Sequence, residues 1–338
     1  MRFAALLLAS FAAQQALAAG PPVDFEILTD PGLPVTASQE WYQALTKLGV
    51  TGLRIRSGGG EPGIDNRGTA EKPSYKVTGV LTADNTLHVP GGKFGPRDSG
   101  KLRKWLDKLG DRGAEGVTQR PVAFGLTPSE LQRVSEDLMQ PVGSSTRGRG
   151  ALAVAGAIAQ RLQIPFVLED GAKRALADVK VVEEMKELSC GTALAAVLRP
   201  AGLVLVPEHP RGGELTYYVG RPRPGREVWP VGWKPEGRAA DRLPALFDML
   251  NVEIRETPVA DAAVAISGRL EVPILYDYNA MALHGVDPTT TEAEVPAKRM
   301  SYSRVLARVL HQAGLEYQLR VDEADKPFLW ITTLKPAP

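Results

Sequence analysis

Apolar positions along this chain recur with two periods, and the points where one gives way to the other divide it into elements. Phe25-Glu26-Ile27-Leu28 reads as a strand, with Thr29-Asp30-Pro31-Gly32 as the turn after it. Trp41, Leu45 and Leu48 form a helical stripe that Gly49 closes. Leu53-Arg54-Ile55-Arg56 alternates as a half-buried strand, as does Tyr75 through Leu81, and Asp84-Asn85 turns the latter into Leu87-His88-Val89. Leu102, Trp105, Leu106 and Leu109 mark a helix expected to end at Gly110. Residues 20–115 are therefore expected to form a small N-terminal α/β domain.

The rest of the chain repeats itself. ALAVAGAIAQRLQIPFVL from Ala151 aligns with VADAAVAISGRLEVPILY from Val259 at an offset of 108, matching Ala155/Ala263, Ile158/Ile266, Arg161/Arg269, Leu162/Leu270 and Pro165/Pro273. SCGTALAAVLRPAGLVLV from Ser189 aligns with SYSRVLARVLHQAGLEYQ from Ser301 at an offset of 112, matching Leu194/Leu306, Val197/Val309, Leu198/Leu310 and Gly202/Gly314. Each copy predicts a helix, then a short strand led by Pro165 or Pro273, then a second helix. Ser189 and Ser301 stand at capping positions, and Gly202 and Gly314 are free to turn left-handed where the second helix ends. A β-hairpin follows, 203–206 returning as 215–219 and 315–319 returning as 328–331. Thr257-Pro258 is expected to start the first helix of the second copy, with a leading strand at Val252-Glu253-Ile254 before it. In the first copy Gly143-Ser144-Ser145-Thr146-Arg147-Gly148 stands where that leading strand belongs, so 141–150 reads as a loop.

A capped helix ending in Ala-Gly-Leu and a following ribbon, as in LARVLHQAGLEYQLRVDEADKPFLWITT, resembles the secretin and TonB short N-terminal domain, a small βαβ–βαβ module of bacterial envelope proteins. The resemblance covers about half the chain. It implies modules that bind other proteins or form rings, and it carries over no catalytic residues. The expected organisation is a signal peptide at 1–19, the α/β domain at 20–115, a first module at 116–220, a Pro/Gly/Arg-rich linker at 221–240 and a second module at 241–338. The fold class is α/β with terminal β-hairpins.

Composition changes this picture in one respect, the compartment. Arg2, the apolar run Phe3–Ala13 and the small-residue triplet Ala16-Leu17-Ala18 read as an export signal cleaved after Ala18 or Ala19, too short for a membrane span. No Cys follows the run to accept a lipid. Formal charge is +1, and removal of residues 1–19 leaves 39 bases against 39 acids, which argues against a nucleic-acid partner. The expected setting is periplasmic or secreted, with no stable membrane span after processing and an envelope protein as partner.

Chemistry is sparse. The lone Cys190 excludes an internal disulfide and suits a buried packing role in an apolar helix. His88, His209, His284 and His311 fall in no paired-ligand spacing, Ser267 lies inside a helix, and Val89-Pro90-Gly91-Gly92-Lys93 lacks the phosphate-loop spacing and reads as a turn. No cofactor or metal is expected. Glu183, Glu184 and Glu187 precede the Ser189 helix, where carboxylates suit the positive end of a helix dipole. Five aromatics are candidate interaction residues: Trp229 and Trp233 of the linker, Tyr217, Tyr218 and Trp330, with the linker pair expected to fold back and seal the repeats together. The expected function is non-catalytic protein binding or assembly, through strand addition to an open edge such as 328–332. Two alternatives stand beside it: a hydrolase using His88, Asp84 or Asp65, and a glycan binder using Trp229, Trp233, Tyr217 and Tyr218.

Overall fold

A computed structural model describes residues 22–50, 52–69, 72–209 and 214–335. The leader at 1–19 lies outside the described residues. The chain divides into two compact units, Met1–Arg120 with Arg211–Gly213, and Pro121–Pro210 with Glu214–Pro338. Helices and several small sheets mix throughout, an α/β fold.

The first unit runs β1 (Val23–Thr29), α1 (Val35–Lys47), β2 (Gly52–Ser57), β3 (Gly63–Asn66), β4 (Tyr75–Leu81), β5 (Leu87–Val89), β6 (Gly92–Phe94) and α2 (Ser99–Thr118). Its sheet has the order β2-β1-β4-β5-β6, with β3 on β4. Strand β1 is parallel to both neighbours, and β4-β5-β6 is an antiparallel meander. Phe25, Ile27, Val77 and Leu81 turn one face to Trp41 and Leu45 of α1 and to Leu102, Trp105 and Leu109 of α2. On the other face Glu26 bridges Arg56 at 2.7 Å and Lys76 at 2.5 Å. The helix expected to stop at Gly110 continues to Thr118, interrupted at Gly113 with φ 67°.

The second unit runs α3 (Pro128–Leu138), α4 (Ala151–Ala159), β7 (Phe166–Leu168), α5 (Ala172–Ala177), α6 (Cys190–Leu198), β8 (Val204–Glu208), β9 (Thr216–Gly220), α7 (Ala239–Arg242), β10 (Met249–Pro258), α8 (Val259–Leu270), β11 (Ile274–Tyr276), α9 (Tyr278–His284), β12 (Glu292–Ser301), α10 (Tyr302–Gln312), β13 (Leu315–Val321) and β14 (Pro327–Thr333). The duplication is present in the backbone. The sheets β7-β9-β8 and β11-β14-β13 have the same order, with one parallel and one antiparallel pairing each. Their registers superpose rung for rung: Phe166↔Tyr217 becomes Ile274↔Leu329, and Val204↔Gly220 becomes Glu316↔Thr332.

Strands β10 and β12 form an antiparallel ribbon whose ends are Met249↔Ser301 and Pro258↔Glu292. The first copy keeps these two rungs as isolated bridges, Pro141↔Ser189 and Gly150↔Lys180. Between them Gly143 and Gly148 take φ of 71° and 77°, which breaks the strand. Buried Thr146 braces the resulting loop, its hydroxyl donating to the Glu183 carbonyl at 2.7 Å and accepting from the Met185 amide at 2.8 Å. The four-residue change in offset falls between β7 and Lys180 in one copy and between β11 and Glu292 in the other.

Several local expectations need correction. Strand β14 is the centre of its sheet, so 328–332 offers no open edge. It alternates between two cores: Leu329 and Ile331 face their own helices, while Phe328 and Trp330 join the core of the first repeat. Thr257 does not cap α8, since its hydroxyl donates to the Arg255 carbonyl; the Thr291 and Pro288 carbonyls accept the first helical amides instead. Ser189 caps nothing with its side chain, whereas Ser301 accepts from the Arg304 amide. Gly202 and Gly314 do end their helices left-handed, at φ 68° and 70°.

Candidate binding site at the junction of the two repeats

Helix α6 reads Cys-Gly-Thr-Ala-Leu-Ala-Ala-Val-Leu, apolar or small on every side, and a helix of that kind is stable only when covered all round. Leu194, Val197 and Leu198 bury against Leu205, Tyr217 and Val219 of their own sheet, while Leu275, Phe328 and Trp330 of the second repeat complete the same core. The N-terminus of α6 receives its acid from far away in sequence. The hairpin tip between β13 and β14 carries Asp322 and Glu323: Asp322 accepts the Ser189 amide at 2.8 Å, and Glu323 accepts the Thr192 amide at 3.1 Å and hydroxyl at 3.0 Å. Glu183, Glu184 and Glu187, expected to serve that helix end, do other work. Glu184 accepts the Thr146 amide, Glu183 accepts the Tyr278 hydroxyl at 2.5 Å, and the Glu187 carbonyl accepts Lys326. Burial pushes the Glu323 carboxyl upward against the bonds it accepts, and burial likewise raises Glu183.

The segment 221–238 has no regular structure, yet it is packed into this junction. The Trp229 amide donates to the Leu205 carbonyl, and Trp233 exchanges backbone hydrogen bonds with Val321. Trp229 stacks on Phe124 with centroids 5.2 Å apart, meets Trp233 edge-on at 5.4 Å, and donates from Nε1 to Glu323 at 2.6 Å. Of the five candidate aromatics, Tyr217, Tyr218, Trp229 and Trp330 are buried and Trp233 is exposed. The buried four have their rings in contact with this chain itself.

Beside the tryptophans lies a cavity of about 350 Å³. Part of its lining is polar. Arg199, at the foot of α6, makes a bidentate pair with Asp277 at 2.9 Å for both bonds. Asp277 is itself fixed by the Ala280 amide. Asn279 donates to the Arg199 carbonyl at 2.8 Å, and Arg320 donates to the Val231 carbonyl at 2.8 Å and to Gln318 at 2.9 Å. Arg199 and Arg320 both lie over the Trp330 ring, 5.8 and 5.0 Å from its centroid. Burial, and then the neighbouring Arg199, push Arg320 below the usual guanidinium range, with Asp277 acting against them. Apolar side chains complete the lining: Leu203, Leu205, Val228, Trp229 and Val231.

The residues of the hydrolase alternative are not brought together. His88 lies half-buried on β5 opposite Val80 and Lys93, and Asp65 is exposed on β3 opposite Lys76. Asp84 accepts the Thr82 and Thr86 hydroxyls, which hold its carboxyl below the usual range. No hydrogen bond joins the three among the described residues. Among those residues, too, no group of three His, Cys, Asp or Glu is placed to hold a metal, and no helix is long and apolar enough to cross a membrane.

Arg199, Asp277, Arg320 and Glu323 went unnoticed in the sequence because each is unremarkable alone. The repeat held a signal for two of them, Arg320 aligning with Glu208 and Arg199 with His311, positions where the copies carry different charge or chemistry, whereas Asp277 aligns with another carboxylate, Glu169. Helix α3 also had a readable start, Thr127-Pro128-Ser129-Glu130, which forms a full capping box. Comparison with family models, with curated proteins and with solved structures finds no match to this chain.

Proposed function

We propose that this chain is a non-catalytic binding or assembly component of the bacterial cell envelope, exported by its N-terminal leader and built on two modules similar to the secretin and TonB short N-terminal domain. The observation that carries this reading is the grip of one module on the next. The second repeat presents a sheet face, Leu275, Phe328 and Trp330, together with the acidic tip Asp322-Glu323, and both engage one helix of the first repeat. A module that docks sheet against helix within its own chain has the surface chemistry for docking to other chains. The rim available for that is the outer face of α10, where Arg304, Arg308 and His311 are exposed, together with Val167 on the edge strand β7.

Deleting 241–338 is a poor test, because it strips the cover from α6. Site-specific photo-crosslinking in cells, with the reactive residue placed at Arg304, Arg308, Gln318 or Val167, leaves the junction intact. The expected result is a discrete adduct with an envelope protein from at least one position. No adduct from any position, or a hydrolytic activity of the purified chain abolished by His88→Ala, would overturn the reading.

A further inference from the structure

Each repeat sets charged groups around one aromatic residue of the central strand of its sheet, and the two copies pair those groups differently. In the first, Arg223 stacks on Tyr218 at 3.8 Å and, with Arg226, faces Glu208, while Glu169 accepts the Arg221 amide. In the second, Trp330 takes the place of Tyr218, Asp277 that of Glu169, and Arg320 that of Glu208. Arg199 enters from the end of α6 and takes Asp277, which leaves Arg320 outside that pair. Asp277 hydrogen-bonds Arg199, whereas Arg320 lies over Trp330 and donates to the Val231 carbonyl and the Gln318 side chain, with no ion pair to a carboxylate among the described residues. A guanidinium carries five N–H donors, so Arg199 and Arg320 each keep donors in reserve, and both line the cavity.

A partly buried cation without a counter-anion carries a desolvation cost that an incoming anion relieves. Leu205, Val228 and Trp229, which line the same cavity, reward a non-polar group next to that anion. We propose that this cavity binds a carboxylate bearing an apolar or aromatic group, its oxygens on Arg320 and Arg199 and its non-polar part against Leu205, Val228 and Trp229. The volume of about 350 Å³ suits a small ligand, at the lower end of the ~300–1,000 Å³ usual for such sites. A free carboxylic acid and the C-terminal carboxylate of a peptide share this chemistry. The proposal does not rest on the assembly reading and is tested on the purified full chain alone.

Isothermal titration calorimetry with 3-phenylpropionate, with acetyl-Ala-Phe and with the C-terminal amide of the same dipeptide separates the possibilities. The expected result is saturable binding of at least one acid in the millimolar range or tighter, weakened by salt, with the amide weaker by about tenfold or more. Tighter binding of the dipeptide acid assigns a peptide terminus as the source, and tighter binding of phenylpropionate assigns a free acid. Arg320→Gln is expected to weaken binding by about tenfold. Val228→Trp, at a position partly open to solvent, is expected to fill the cavity and abolish binding without moving the unfolding midpoint, which keeps the test decisive if Arg320→Gln does not fold. Absence of binding by both acids, equal binding of acid and amide, or unchanged binding by Val228→Trp overturns the proposal.

Discussion

Glu323 ties together three parts of the second unit through one carboxylate: the hairpin tip that carries it, the first turn of α6, and the Trp229 indole of the connecting segment. Glu323→Ala leaves the Thr192 amide and the Trp229 Nε1–H without their acceptor in a partly buried junction. The expected loss is about 3 kcal/mol, read from urea unfolding followed by tryptophan fluorescence. Glu183 gives the junction a pH dependence. Burial raises its carboxyl above the ordinary 4.5 even though Tyr278 donates to it. An acid with a higher pKa folded than unfolded binds its proton more tightly in the native state. Its contribution is therefore fully present below the unfolded value and is lost as pH rises through the folded one. Thermal unfolding between pH 4 and 7.5 should show a midpoint that falls with rising pH relative to that of Glu183→Gln. Parallel midpoint curves for the two proteins would show that Glu183 does not couple to folding.

At the scale of elements, α6 and α10 are the same helix in two settings. Helix α10 is amphipathic, with Val305, Leu306, Val309 and Leu310 buried and Arg304, Arg308 and His311 in solvent. Helix α6 substitutes small or apolar residues at most of those outward positions and is covered on both sides. A matched pair of substitutions tests this. Ala195, buried, aligns with Ala307, exposed. Ala195→Lys is expected to cost about 3 kcal/mol or more, because a charge enters the seam, and Ala307→Lys to stay within about 0.5 kcal/mol, both by urea unfolding. Similar effects at the two sites would mean that the repeats do not pack sheet against helix. The same contrast explains what pattern reading reached here. The α6 sequence announced burial on all sides but not by what, and β12, with Pro296 and four charged residues, gave no strand pattern and formed only because β10 lies beside it.

Across the second unit, the repeats are not beads on a linker. Cys190 reports on this: it is fully buried, and burial pushes its thiol up to about 11. In the native full chain it should resist a disulfide reagent such as DTNB at pH 8. A chain ending at residue 240 lacks Leu275, Phe328, Trp330 and the acidic tip, so its thiol should react at the rate of an unfolded peptide. Equal protection in both chains would show that the first repeat closes its own core. The candidate site follows the same rule. Its residues are 199, 277, 279 and 320, from different copies, and no local pattern brings them together.

Periodicity and the internal alignment determined the paired helices α4/α8 and α6/α10, the hairpins, the left-handed glycines and the duplication, because these depend on spacing and on backbone preferences within a few residues. Even the degenerate strand at 141–150 was legible, since Gly143 and Gly148 cannot hold a ladder there. Tertiary structure alone decided that β14 is buried on both faces, that Glu323 completes the first turn of a helix about 130 residues away, and that two arginines from different copies lie over Trp330. Those outcomes depend on which surfaces meet once each copy has folded. A surface is encoded by residues far apart in the chain, so its partner is not written in any one stretch of it.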